Sequence, residues 1–251
     1  MPAAPPRTLL LHGFTQTGVS WRPIAERLPS SWTVETPDLP GHGTAGERRL
    51  DLAGTAAWLA ERIGTEPALV VGYSMGGRTA LRLALDHPDV VAGLVLVGAT
   101  AGIDDADERV ARRAADHALA DRIEADGVAP FLDRWLAQPL FADLVPRPDD
   151  LAARRANTAA GLASSLRLAG TGTMDPPWWD DLARIGAPTL VLWGEADTKF
   201  AALGRRLADG IGPNAETTSL VDVGHAAHLE APDAVAALVT GWASRTLGLR
   251  R

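Results

Sequence analysis

Cysteine is absent from the 251 residues. That excludes disulfides, thiolate zinc sites, iron–sulfur clusters and a cysteine nucleophile. Lysine occurs once, at Lys199, and tyrosine once, at Tyr73. Every other basic residue is an arginine, and the 24 Lys+Arg are outnumbered by 31 Asp+Glu. A net charge of -7 argues against nucleic-acid binding, which rests on neutralising phosphates. No apolar run approaches the ~20 residues needed to span a bilayer, so no membrane insertion is expected. Residues 1–7 are too few and too rich in proline for a secretory signal. With 46% hydrophobic residues the chain has enough apolar side chains for a sizeable core. The expectation is a globular protein of the cytoplasm, with no metal and no organic cofactor.

What the sequence does contain is a series of short Val/Leu runs, each ending in glycine or proline. Residues 8–11, 32–39, 68–71, 93–98, 188–193 and 217–223 read as six buried strands. Helical segments separate most of them, the pattern of a parallel sheet covered on both faces. The alternation stops between Gly102 and Gly186. Residues 107–126 read as a long helix with Gly127 as its stop. Phe131, Leu132, Trp135 and Leu136 share one helical face, and Asp149 is a candidate cap for a helix reaching Ala163. Roughly 85 residues of helix are too many for a simple crossover. The expected organisation is a core of residues 1–101 and 187–251, with residues 102–186 as a helical lid over the C-terminal edge of the sheet.

The strongest chemical signal is Gly72-x-Ser74-x-Gly76 between a strand and a helix. A sharp strand-to-helix turn needs small neighbours, and it lifts a serine oxygen to the sheet edge. A serine at its ordinary pKa is a weak nucleophile or base and needs an imidazole. His225, just past the last strand, is placed to reach Ser74, since active sites of open α/β sheets lie beyond the carboxyl ends of the strands. His228 is the competing histidine. Asp197, past the fifth strand, is the expected carboxylate that orients His225, with Glu195 and Asp104 as alternatives. The N–H groups of Met75 and Phe14 are the candidate oxyanion donors. His12 and His42 read as residues that brace turns.

These motifs, in order, resemble the α/β-hydrolase superfamily: His12-Gly13-Phe14, Asp38 to Gly43, Gly72 to Gly77, Gly194 to Asp197 and Gly224-His225. The resemblance implies an α/β fold with a mostly parallel sheet of about six strands flanked by helices, plus an inserted helical lid. One departure is visible. The family usually opens with a two-strand hairpin, and too few residues precede the first strand here to form it.

A narrower resemblance follows from the residues around Ser74, the run Glu108-Arg109 to Asp116, Phe131 to Phe141, and Asp197-Thr198-Lys199-Phe200. These are similar to the MenH family, the 2-succinyl-6-hydroxy-2,4-cyclohexadiene-1-carboxylate synthases. Membership would imply a small polycarboxylate substrate gripped by arginines; by motif position these are Arg78, Arg112 and Arg155. Tyr73, Trp135, Phe141 and Lys199 would line the pocket, although Trp135 and Phe141 fit a plain lid core equally well. The implied reaction is elimination of pyruvate in menaquinone biosynthesis, with Ser74 and His225 moving the proton. The alternatives are hydrolysis of a small carboxylate-bearing ester or of a carbon–carbon bond, or a non-catalytic small-molecule receptor. Residues 102–186 hold 10 arginines against 15 acidic residues, so anion binding there rests on individually aimed arginines rather than on a general positive field.

Overall fold

Strand side chains alternate between two buried layers, as a pleated strand requires. In β1 (Arg7–Leu11), Leu9 and Leu11 join one core and Leu10 the other. β3 (Ala68–Tyr73) and β4 (Val91–Val97) do the same: Val70, Leu94 and Leu96 face one way, Leu69, Val71, Val95 and Val97 the other. With β2 (Thr33–Glu35), β5 (Thr189–Gly194) and β6 (Ala215–Leu220) they form a six-stranded sheet in the order β2-β1-β3-β4-β5-β6. Every pairing is parallel. The computed structural model describes residues 7–249; β1 starts at the first of them, so the expected lack of a hairpin before it lies outside the described residues.

α1 (Arg22–Ala25) and α10 (Pro232–Thr246) cover one face of the sheet. α2 (Leu52–Ile63), α3 (Met75–Asp86) and α8 (Thr198–Ile211) cover the other. α9 (Ala227–Glu230) is a single turn after the last strand. The chain leaves β1 for one edge (β2) and then returns to its other side (β3). That reversal opens a crevice at the carboxyl ends of β1 and β3, where ligands of such sheets bind.

Between β4 and β5 lie only helices and turns. α4 (Ala106–Asp126) is capped by Asp105 and stopped at Gly127, followed by α5 (Val128–Leu136). α4, α5 and α7 (Ala159–Ala169) share a small core of Ala120, Ile123, Phe131, Leu132, Leu162, Ala163 and Leu166. The helix expected from Asp149 to Ala163 is two helices. α6 (Pro148–Arg155) ends, and Thr158 caps α7 by accepting from Gly161 N at 3.0 Å. A threonine that bonds the backbone outside the helix breaks the run. Asp149 lies in the first turn of α6 rather than at its cap.

β2 is also shorter than residues 32–39. Pro37 lacks the N–H that a ladder needs. β6 begins at Ala215 and ends before Val221, where Asp222 adopts a left-handed φ of 58°.

Candidate active site

Ser74 occupies the junction of β3 and α3 with φ 50° and ψ -107°, a conformation uncommon for a residue bearing a side chain. The glycines around it are sterically required. A Cβ at Gly72 would lie 2.4 Å from the Gly76 carbonyl oxygen, and one at Gly76 would lie 2.1 Å from that of Leu11. The turn aims the amino end of α3 at the serine, so first-turn N–H groups such as that of Met75 lack helical acceptors.

His225, in the loop between β6 and α9, places Nε2 3.3 Å from Ser74 Oγ. Its Nδ1 lies 2.7 Å from Asp197 Oδ2. Asp197 is itself fixed as the cap of α8, accepting from Phe200 N at 3.1 Å through Oδ1. The three side chains thus come from the ends of β3, β5 and β6. Glu195 is exposed and accepts from Ser219 Oγ, and Asp104 pairs with Arg206 on the surface. His228 is stacked between Trp21 and Tyr73, at 4.6 and 4.2 Å, and does not reach the serine.

His12 and His42 are buried braces. His12 Nδ1 donates to Gly13 O at 2.9 Å, and its Nε2 accepts from Leu39 N at 2.9 Å. His42 Nδ1 donates to Pro40 O, and its Nε2 accepts from Thr15 N. Each ring needs one protonated and one bare nitrogen, and burial pushes the pKa down to about 4 for His12 and about 3 for His42. They tie the loop after β1 to the loop after β2. In the first of these loops Gly13 N donates to Gln16 Oε1, Thr15 N to His42 and Gln16 N to Gly13 O. The Phe14 N–H has no protein acceptor among the described residues.

A cavity of about 170 Å³ opens over Ser74, between the sheet edge and the helices of residues 102–186. Phe14, Met75, Tyr73, Trp135, Phe141 and Lys199 all border it, as expected from the sequence. Trp135 serves both readings: it meets Phe14 edge-to-face at 5.3 Å and packs at a tilt on Phe141 at 5.9 Å while it walls the cavity. Its Nε1 is buried with no partner. A wider groove of about 830 Å³ beside β2 contains no such serine, and its Glu35 and Arg62 pair with each other.

Of the three expected arginines, two line the cavity and one does not. Arg78 is half-buried and donates through Nη2 to Ala169 O at 2.9 Å. Burial, and then the charge of Arg112, push its pKa down to about 10, while Asp116 acts against them. Arg112 donates through Nε to Asp116 Oδ1 at 2.9 Å. Arg155 points to solvent and meets exposed Asp133 at 3.4 Å. The third cavity arginine is Arg154, which is 1% exposed. Its Nε donates to Asp150 at 2.7 Å and its Nη1 to Thr15 Oγ1 at 2.9 Å, while its Nη2 has no partner. Asp150, Arg154 and Asn157 are all buried and recur at i, i+4, i+7, the inward face at this end of α6. Arg155 is one residue on, about 100° around the helix, and faces out. That buried polar stripe was the available signal for Arg154.

A parallel sheet with a serine at a strand–helix elbow, backed by histidine and aspartate from later strand ends, defines the α/β-hydrolase class of enzyme. Residues 6–232 match the family model for the alpha/beta hydrolase fold. The chain is 34% identical over 241 residues to the 2-succinyl-6-hydroxy-2,4-cyclohexadiene-1-carboxylate synthase of Klebsiella pneumoniae (strain 342), covering 92% of this chain and 91% of that one. Among solved structures it matches MenH from S. aureus with a TM-score of 0.88 at 28% identity, over 96% of this chain and 94% of that one. A thermophilic esterase from Thermogutta terrifontis, with malate bound, gives 0.75 at 25% identity, over 96% and 90%. The chain belongs to the α/β-hydrolase fold family and, within it, to the family of the 2-succinyl-6-hydroxy-2,4-cyclohexadiene-1-carboxylate synthases.

Proposed function

We propose that the enzyme eliminates pyruvate from 2-succinyl-5-enolpyruvyl-6-hydroxy-3-cyclohexene-1-carboxylate, a step of menaquinone biosynthesis. The observation that carries this reading is the meeting of Arg78, Arg112 and Arg154 in the cavity over Ser74. Three guanidinium groups suit three carboxylates, which charge-assisted N–H bonds would hold. A hydrolase of neutral esters has no use for three buried or half-buried cations in its pocket. The relatives' shared name points the same way.

In this mechanism Asp197 holds the imidazole so that His225 Nε2 accepts the Ser74 proton. The Ser74 oxygen then removes a proton from the carbon next to the substrate carbonyl. Negative charge builds on the carbonyl oxygen, where the N–H groups of Phe14 and Met75 hold it. Its collapse through the ring breaks the carbon–oxygen bond to the enolpyruvyl group. The departing enolate takes up a proton and becomes pyruvate, and the serine–histidine pair returns to its starting state. The cavity of about 170 Å³ is walled in part by the helices of residues 102–186, which in this reading form the lid over the substrate.

A second reading draws on the same three side chains. Ser74 could attack the carbonyl of a small carboxylate-bearing ester and hydrolyse it. The assay that separates the two follows pyruvate release from the cyclohexene precursor beside hydrolysis of a neutral aryl ester. Pyruvate release that disappears in Ser74→Ala is the expected result. Ester turnover without pyruvate sinks the lyase reading and leaves the hydrolase.

A further inference from the structure

We infer that Thr15 is a positioning residue that couples the carboxylate-binding Arg154 to the loop carrying the Phe14 oxyanion donor. The inference rests on the roles given above to Arg154 and Phe14.

Thr15 is fully buried and has a left-handed φ of 70°. That conformation is rare for a β-branched residue and persists only where its surroundings over-determine it. Three groups hold it. Its N–H donates to His42 Nε2 at 3.3 Å, which anchors it to the loop after β2. Its carbonyl accepts from Asn157 Nδ2 at 2.8 Å, and its hydroxyl accepts from Arg154 Nη1 at 2.9 Å. Asn157 also accepts from Gly43 N at 2.8 Å, so one carboxamide bolts two core loops to the turn after α6. Two of the three restraints on Thr15 therefore come from the helical segment, and one of them is an arginine that borders the cavity.

Thr15 itself does not line the cavity; the residues on either side of it, Phe14 and Gln16, do. A change in the Thr15 backbone turns the preceding peptides and moves the Phe14 N–H. Oxyanion donors act only within a narrow window of distance, about 2.7–3.1 Å from the developing charge. Arg154 thus does two things through different nitrogens. Nη2, without a protein partner among the described residues, is left for a carboxylate, and Nη1 fixes the loop that must receive charge at the other end of the reacting group. Asp150 on Nε fixes the plane of the fork between them.

The test uses a probe that carries no carboxylate, so that substrate recognition and oxyanion geometry separate. A neutral alkyl fluorophosphonate phosphonylates Ser74: the serine oxygen bonds to phosphorus, fluoride leaves, and His225 takes the serine proton. The rate depends on the triad and the oxyanion donors alone. Thr15→Val keeps the shape and removes the acceptor for Arg154; its phosphonylation should slow by about 10-fold or more, against the 10²–10³ that follows outright loss of an oxyanion donor. Thr15→Ser restores the hydroxyl and should return the rate to near wild type. The double variant Asp150→Asn/Arg154→Met removes the arginine without stranding a buried carboxylate, and it should slow the same reaction. Thermal melting of each variant establishes that it is folded. A folded Thr15→Val protein, or a folded double variant, that reacts with the probe at the wild-type rate overturns the coupling and leaves Arg154 as a carboxylate ligand alone. Failure of the lyase reading registers elsewhere, as absent pyruvate release from the unaltered enzyme.

Discussion

Replacing Arg154 and Arg155 one at a time asks whether the inward or the outward arginine of α6 binds substrate. Arg154→Ala removes a guanidinium that is 1% exposed and whose Nη2 has no protein acceptor. Hydrogen bonds to charged groups are worth about 1.5–3 kcal/mol, so kcat/KM for pyruvate release should fall by about 10-fold to about 150-fold. Any disturbance of the Phe14 loop adds to that. The same change strands Asp150, whose carboxyl burial pushes upward and Arg154 holds down. Breaking a buried pair from one side costs about 3–5 kcal/mol, or roughly 6–20 °C in Tm for a chain of this size. Arg155→Ala loses only a solvent-exposed contact with Asp133, of the kind that contributes little. Its kcat/KM should stay within about twofold of wild type and its Tm within a degree or two. Pyruvate release coupled to lactate dehydrogenase gives the first quantity and scanning calorimetry the second. A large KM effect in Arg155→Ala, with Arg154→Ala silent in both assays, refutes the assignment.

Acid should destabilise the fold through its buried histidines. Their folded pKa values lie below the unfolded value of about 6.5: about 4 for His12, about 3 for His42, and well below the ordinary range for His228. Between pH 6.5 and about 4 the unfolded chain therefore binds protons that the folded one refuses, and stability drops as pH drops. Each histidine contributes about 1.4 kcal/mol per pH unit once fully engaged; urea midpoints that stay constant from pH 7 to pH 5 would contradict this. Gly76→Ala should abolish active enzyme, because its Cβ would sit 2.1 Å from the Leu11 carbonyl and neither backbone can yield. A soluble Gly76→Ala protein with wild-type turnover would show that the elbow tolerates a larger neighbour. Substrate association should depend only weakly on ionic strength, since the acidic surface supplies no attractive long-range field for anions. A steep loss of kcat/KM on moving from about 20 to about 200 mM salt would point instead to steering by surface charge.

The parts of the site set by steric necessity were legible in the sequence. Gly72-x-Ser74-x-Gly76 leaves the backbone few alternatives, and two of its glycines are in contacts that no Cβ could enter. Asp197 and His225 were legible because strand ends and their loops follow directly from the Val/Leu runs. The third arginine was not. Arg154 and Arg155 are adjacent and chemically identical, and only the phase of α6 separates them. That phase depends on where the helix begins and ends, which Pro148 and Thr158 decide. The reading of one helix from Asp149 to Ala163 failed for the same reason, and the expected length of β2 failed because Pro37 cuts the strand short.

An acidic protein can still hold a polycarboxylate, and the partners of its arginines explain how. On the surface of the helical segment Arg134 pairs with Asp126, and Arg167 with Asp121 and Glu124, which spreads both charge signs and leaves no net attraction. In the cavity the same pairing has a different geometry. Asp116 and Asp150 each take the Nε of an arginine four residues away on the same helix. For Arg112 that contact leaves both Nη groups as the free end of the fork, the edge that meets a carboxylate side by side; for Arg154, whose Nη1 is held by Thr15, it leaves Nη2. Among the described residues Arg78 has no carboxylate in a salt bridge with it, only the Ala169 carbonyl as acceptor, and burial beside Arg112 depresses its pKa. A bound carboxylate would relieve that cost, so this arginine gains most from ligand. The two aspartates therefore weaken the overall pull on anions and sharpen the direction from which an anion can be held. Selection by direction suits a small substrate whose carboxylates stand at fixed positions around a ring, and it needs no positive surface at all.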